Sequence, residues 1–255
     1  MCLCLFAINK HEDFPFILLA NRDEFRERPA AKASFWKDKP NILAGRDLEG
    51  MGTWLGINKH GKISFLTNYR HSDFFNRKGP TRGMLVSGFL SGNTQAEEYL
   101  KSIENSEDYN GFNLISGNFK DLYYFSNVEN RVRKIENGVH GLSNAFLNSS
   151  WPKVDLGKTQ LSAAIETNNL ESDYLFSILK DEKQANPELL PNTGVSDELE
   201  KMLSSKFINT KDYGTVCSTV VKADKAGNCL FEERTFNSNG KETDRVEFAF
   251  TVTEN

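Results

Sequence analysis

The first 25 residues, MCLCLFAINKHEDFPFILLANRDEF, constrain this chain more than any other stretch. Residues 2–8 read as a strand and residues 16–20 (FILLA) as a short apolar run. A polar turn containing Asn9 to Asp13 separates them, so together they predict a hairpin. The second run gives way abruptly to Asn21, Arg22, Asp23 and Glu24, which predicts four polar residues at a strand end, where sites are commonly built.

A second hairpin is expected from TWLGIN and ISFLTN around KHGK, with Gly61 supplying the positive φ of a tight turn. Between Thr81 and Glu104 the spacing turns helical. Two helices are expected there, broken at Ser91-Gly92 and restarted by a Thr94 cap with Glu97 three residues on. GFNLISG, LYYFS and RVRKIE read as a meander of strands. Helical spacing resumes over 154–165, 172–180 and 196–203, with a loop at 187–194. TVCSTVVKAD, CLFEERTF and RVEFAFTV return to strands. With no internal repeat or low-complexity linker, this order predicts one α+β domain over residues 1–255, with stacked sheets and both termini in one sheet.

Composition removes several function classes. Lys plus Arg number 31 against 35 Asp plus Glu, a net charge of -4, without the basic surplus of a nucleic-acid binder. The apolar runs are too short to cross a bilayer and no basic region leads into one, so no membrane span or signal peptide is expected. Four cysteines in 255 residues do not resemble a disulfide framework, and a reducing, cytoplasmic setting is the expectation. His11, His60, His71 and His140 lack metal-binding spacing, and no dinucleotide or phosphate-loop motif occurs. Trp54 reads as core more than as a ligand platform. NRKGPTRG, with three basic residues, reads as a solvated loop that could meet an anion.

Cys2 carries the chemical interest. Removal of Met1, expected because Cys is small, would put a thiol of pKa near ~8.5 and an α-amine near ~7.7 on one residue. The amine can take the thiol's proton, directly or through water, and so make an attacking thiolate without a histidine. A buried, inert Cys2 is the competing reading, because free Cys is among the most buried residue types. Cys4, on the same face and without a free amine, is the internal control. A carboxylate from NRDE could orient the amine, and Arg22 could pair with that carboxylate or with a substrate acid.

MC at the start, LLANRDEF followed by Arg28-Pro29, ILAGRD, GTWLGIN, GKISFLTNYR, YNGFNLI, GLSNA with Trp151, and YGT together resemble the NRDE-motif family, also called the transport and Golgi organisation protein 2 family. The resemblance spans nearly the whole chain. More distantly, that family is similar to N-terminal nucleophile hydrolases of the choloylglycine hydrolase and acyltransferase type, which implies a four-layer αββα sandwich. It also implies that Cys2 attacks an amide, that Asn21 and Asp23 end a neighbouring strand, and that Asn68 and Asn144 hold the oxyanion or the scissile group. The asparagines' other reading is a turn or left-handed backbone. Two positions depart from the pattern: Ala20 stands where choloylglycine hydrolases have Arg, and Val216 where many relatives have Arg after YGT. The implied activity is amide hydrolysis or acyl transfer at a non-peptide C–N or related acyl bond of a small molecule, with no cofactor. The alternative is a non-catalytic carrier or chaperone for lipid, acyl groups or haem, consistent with the family's link to haem trafficking; a haem could take a cysteine as axial ligand.

Overall fold

The computed structural model describes residues 2–74, 79–104 and 108–253. The chain begins with β1 (Cys2–Ile8), β2 (Phe16–Phe25), β3 (Ala30–Phe35), β4 (Ile42–Asp47), β5 (Leu55–Asn58) and β6 (Lys62–Asn68). Helices α1 (Gly83–Ser91) and α2 (Ala96–Ser102) precede β7 (Phe112–Asn118), β8 (Leu122–Ser126), β9 (Arg131–Lys134) and β10 (Gly138–Leu142). Then come α3 (Pro152–Glu166), α4 (Ser172–Leu179) and α5 (Asp197–Met202), and finally β11 (Tyr213–Ala223), β12 (Asn228–Phe236) and β13 (Glu242–Thr251).

Every strand pairing is antiparallel. A six-stranded sheet runs β10-β1-β2-β11-β12-β13, so strands from both ends of the chain share it, and a seven-stranded meander runs β3 to β9 in chain order. Side chains on β1 alternate between two apolar environments. Cys4, Phe6 and Ile8 meet Phe65 and Tyr124 of the second sheet, whereas Leu3, Leu5 and Ala7 meet Leu161 of α3 and Leu175 of α4. On the far side, α1 and α2 cover the second sheet through Val86, Phe89 and Leu100 against Leu114 and Phe125. The layers are therefore α, β, β, α. Burial on both faces is why the first hairpin reads as nearly continuous apolar sequence.

The expected N-terminal hairpin forms, with a register that runs from Cys2↔Arg22 to Ile8↔Phe16, and Gly61 turns the second one at φ 77°. The polar segment differs from expectation. Asn21 to Glu24 lie within β2, which continues to Phe25, because β11 pairs with its far edge from Ala223↔Phe16 to Tyr213↔Phe25 and so satisfies the backbone. The N-cap of α2 is Gln95, not Thr94, and no side-chain oxygen caps that helix. Strands β3, β4 and β10 are additional to the sequence reading; β10 is an edge strand whose two glycines weaken its apolar signal. Within the NRKGPTRG loop, Asn76, Arg77 and Lys78 lie outside the described residues, while Arg82 immediately precedes α1 and makes no side-chain capping bond to it. No helix among the described residues is long and apolar enough to cross a membrane.

Candidate active site

Cys2 is the first residue of β1, and its cross-strand partner Arg22 in turn pairs with Cys217 of β11, so the three side chains share the inter-sheet face. Cys2 is 8% exposed and Cys4 2%. Burial pushes the Cys2 thiol pKa up; the Asp23 charge adds to this, and Arg22 and a hydrogen bond from the Asp23 backbone oppose it. Cys4 and Cys217 are pushed well above the ordinary thiol range, again by burial first.

Asn21 and Asp23 project to the helix-covered face. The Asn21 amide donates to the carbonyls of Leu179 (3.0 Å) and Lys206 (2.8 Å), and its oxygen accepts from Ser218 Oγ at 2.6 Å. Those bonds occupy both amide hydrogens, so Asn21 locks the strand to its surroundings. Asp23 Oδ1 accepts from Thr215 Oγ1 at 2.7 Å. Burial raises the Asp23 pKa, with Lys153 the leading opposing charge. Between Thr215↔Asp23 and Cys217↔Arg22, Val216 is an extra residue in β11, a bulge beside the Cys2 end of the hairpin. Arg22 is buried with its guanidinium 4.3 Å from the Trp54 ring centroid and 3.7 Å from carboxylates of Glu24 and Asp47. Trp54 is thus partly core and partly a lid on that charge.

The two later asparagines form one chain of bonds with the strand that begins with Cys2. Ser143 Oγ lies 3.2 Å from the Cys2 carbonyl and 3.3 Å from Asn144 Oδ1, sharing its one hydrogen between these acceptors, and Asn144 Nδ2 donates to the Asn68 carbonyl at 2.9 Å. The Arg70 backbone N–H donates to the Asn144 carbonyl at 2.7 Å, and Thr67 Oγ1 donates to the Ser143 carbonyl at 2.5 Å. Asn144 is fully buried and positions this loop. The half-buried Asn68 side-chain amide has no hydrogen-bond partner among the described residues and lines a cavity of about 570 Å³. Glu24, Arg70, Arg82 and Tyr213 share that wall. Cys2 is within electrostatic reach of Arg82 and Tyr213.

The family-level description Transport and Golgi organisation 2 matches residues 1–238. The chain is 34% identical to the Transport and Golgi organization protein 2 homolog of Bos taurus, over 92% of each chain, and 32% identical to the Mus musculus homolog, over 99% of each. This chain belongs to the Transport and Golgi organisation 2 family. Its fold resembles that of the mutant C2A conjugated bile acid hydrolase from Clostridium perfringens, with TM-score 0.53 at 10% identity, covering 100% of this chain and 98% of that one. It also resembles the Caenorhabditis elegans N-acylethanolamine-hydrolyzing acid amidase ortholog, with TM-score 0.50 at 10% identity, covering 86% and 92%. Two antiparallel sheets between helical layers are the shared N-terminal nucleophile hydrolase architecture.

In this Transport and Golgi organisation 2 chain, the two departures from the hydrolase pattern have structural explanations. Ala20 packs into the inter-sheet core, and Val216 is the bulge residue. Three cations escaped the sequence reading as site residues. Lys153, in the first turn of α3 after Pro152, is buried and donates to the Leu203 carbonyl at 2.8 Å. Burial lowers its pKa to about 8, with Asp23 and Cys2 among the charges acting on it. A lysine at a helix N-terminus opposes the helix dipole, the one signal that could have singled it out. Arg70 and Arg82 stand in LTNYR and NRKGPTRG, quoted for other reasons, and only the fold brings them together.

Proposed function

We propose that this protein is an N-terminal cysteine amidohydrolase or acyltransferase acting on a non-peptide C–N amide or related acyl bond. The observation that carries the reading is Asn68, an unengaged amide on a cavity wall, bonded through Asn144 and Ser143 to the strand that begins with Cys2. The architecture supports it, since the structural neighbours include a bile acid hydrolase altered at residue 2 and an acylethanolamine amidase.

The chemistry needs Met1 removed. The freed α-amine takes the Cys2 thiol proton, and Sγ attacks the acyl carbon. Asn68 Nδ2 donates to the oxyanion, an interaction worth roughly 3 kcal/mol in hydrolases. Collapse breaks the C–N bond as the α-ammonium returns a proton to the leaving amine, giving a thioester at Cys2. Water, or an acceptor amine in the transferase case, then attacks the thioester and restores the thiol. Asp23, fixed by Thr215, orients the amine, while Asn21 and Asn144 hold the two segments that carry Asp23 and Asn68. Arg22 stabilises thiolate from the neighbouring register position.

Intact-protein mass spectrometry before and after limited iodoacetamide, with peptide mapping, tests this reading. Loss of Met1 and selective alkylation of Cys2 over Cys4, Cys217 and Cys229 are expected. Retained Met1, or a Cys2 as inert as Cys4, would overturn it. The carrier reading draws on the apolar mouth of the cavity, where Phe25 is 56% and Leu199 37% exposed.

A further inference from the structure

The cavity beside Cys2 holds more positive charge than its surroundings neutralise. Arg82 donates to the Gly111 carbonyl at 3.1 Å and forms no ion pair with any carboxylate among the described residues. Burial lowers its pKa, and of the carboxylates only Glu24 is close enough to push the other way. Glu24 lies 3.7 Å from Arg22 and 4.0 Å from Arg28, so its charge is shared with two other guanidiniums. Arg70, 3% exposed, donates through Nη2 to Glu200 Oε2 at 2.6 Å and lies 4.6 Å from the Trp151 ring centroid. Its Nε and Nη1 are buried with no hydrogen-bond acceptor among the described residues. Glu200 in turn accepts from the Thr193 N–H at 2.9 Å and the Thr193 hydroxyl at 2.5 Å, which pins the pair from one side only.

Buried N–H groups are almost always satisfied, and an orphaned charged donor is costly. The rest of the lining is mixed: Glu24, Asn68, Asn110 and Tyr213 are polar, and Phe25, Leu199, Met202 and Leu203 supply an apolar part. A cavity of about 570 Å³ with this lining is of the size and kind that holds a small amphiphile.

We propose that this cavity binds an acyl compound bearing a carboxylate, its carboxylate held by Arg82 with Arg70 as the second cation, and its apolar chain lying along Phe25, Leu199 and Met202. Guanidinium groups match the planar carboxylate with two parallel hydrogen bonds. The assignment deepens the hydrolase reading by naming the substrate class, and it rests on that reading only for which bond is cut. With the acyl carbon at Asn68, the acid group of an acyl amide can reach Arg82 on the same wall.

Calorimetric titration of the full chain with dodecanoate, dodecanol and dodecyltrimethylammonium tests the charge preference without any turnover, since none of these contains an amide. Dodecanoate is expected to bind roughly tenfold or more tightly than either of the others, and Arg82→Gln to erase that margin while leaving dodecanol binding unchanged. Because Arg70 is buried against Glu200, Arg70→Gln is paired with the double variant Arg70→Gln/Glu200→Gln, which removes the stranded carboxylate. The double variant is expected to weaken dodecanoate alone. Equal binding of the three probes, binding unaffected by Arg82→Gln, or no binding at all would overturn the proposal. A second arm compares acylation of Cys2 by N-dodecanoylglycine and its neutral counterpart N-dodecanoylethanolamine. Absence of acylation by both, with dodecanoate still bound through Arg82, sinks the hydrolase reading and leaves the carboxylate site standing.

Discussion

The turn end and the open end of the first hairpin are equally buried and chemically opposite. Near the turn, Phe6, Ile8, Phe16 and Leu18 fill the space between the sheets within the apolar cluster. At the open end, Asn21, Arg22 and Asp23 are as inaccessible, yet each is tied to carbonyls, hydroxyls or charges. Burying apolar area stabilises a fold directly, whereas a buried polar group at best recovers most of its desolvation cost. One strand therefore carries an apolar section that makes the fold and a polar section that costs it stability, the section to which the proposed function assigns a site.

Substitutions at the two ends break or sharpen that contrast. The largest effect is expected from Phe6→Ala, which should cost about 3–5 kcal/mol in urea unfolding through the cavity it leaves. The protein that remains folded should keep the Cys2 alkylation preference. Asn68→Ala should slow Cys2 acylation roughly 100-fold, about 3 kcal/mol, with an unchanged unfolding midpoint. A parallel loss of stability would reassign Asn68 to the fold.

Charge at the open end also predicts pH dependence. Glu233 accepts from the Ala33 N–H at 2.7 Å, bridging β12 to β3, and burial raises its pKa to about 7. In the unfolded chain it ionises near the ordinary 4.5, so between these values the folded state holds the extra proton. Its contribution to stability is therefore present at low pH and lost as pH rises through about 7. Glu233→Gln should flatten that fall and leave the protein more stable than the parent above pH 8, by at most about 3 kcal/mol. Lys153, lowered to about 8 from 10.5, has the opposite slope. Stability should increase as pH rises from about 8 towards 10.5, and Lys153→Met should remove the increase in a pH series of unfolding curves. The smallest expected effect is Asn21→Ala, about 1–3 kcal/mol from two carbonyls left without donors and Ser218 left without its acceptor. Alkylation of Cys2 should continue, since Asn21 faces the other side of the sheet.

Much of the fold was legible because its local signals agree with its tertiary role. The Asn9–Asp13 turn, Gly61 and the helical spacing of α1, α3 and α4 each reflect short-range physics. Strands β3 and β10 were not legible, being short, half-exposed or glycine-containing and fixed by their neighbours. Of the candidate site, the motif order singles out Cys2, Asn68 and Asn144 as candidates; their connection through Ser143 and the commitment of Asn21 to Leu179 and Lys206 come only from the fold.

By itself, the sequence determined the N-terminal hairpin and the mixed strand and helix order, since those follow from periodicity and residue type along a continuous segment. Only tertiary structure decided that β2 carries its polar residues inside a fully paired strand, and that Lys153 comes within electrostatic reach of Asp23. It also decided that Arg70 and Arg82 line one cavity together with Asn68 and Glu24. The physical reason is that burial and charge pairing depend on contacts between segments far apart in the chain, which local patterning does not encode.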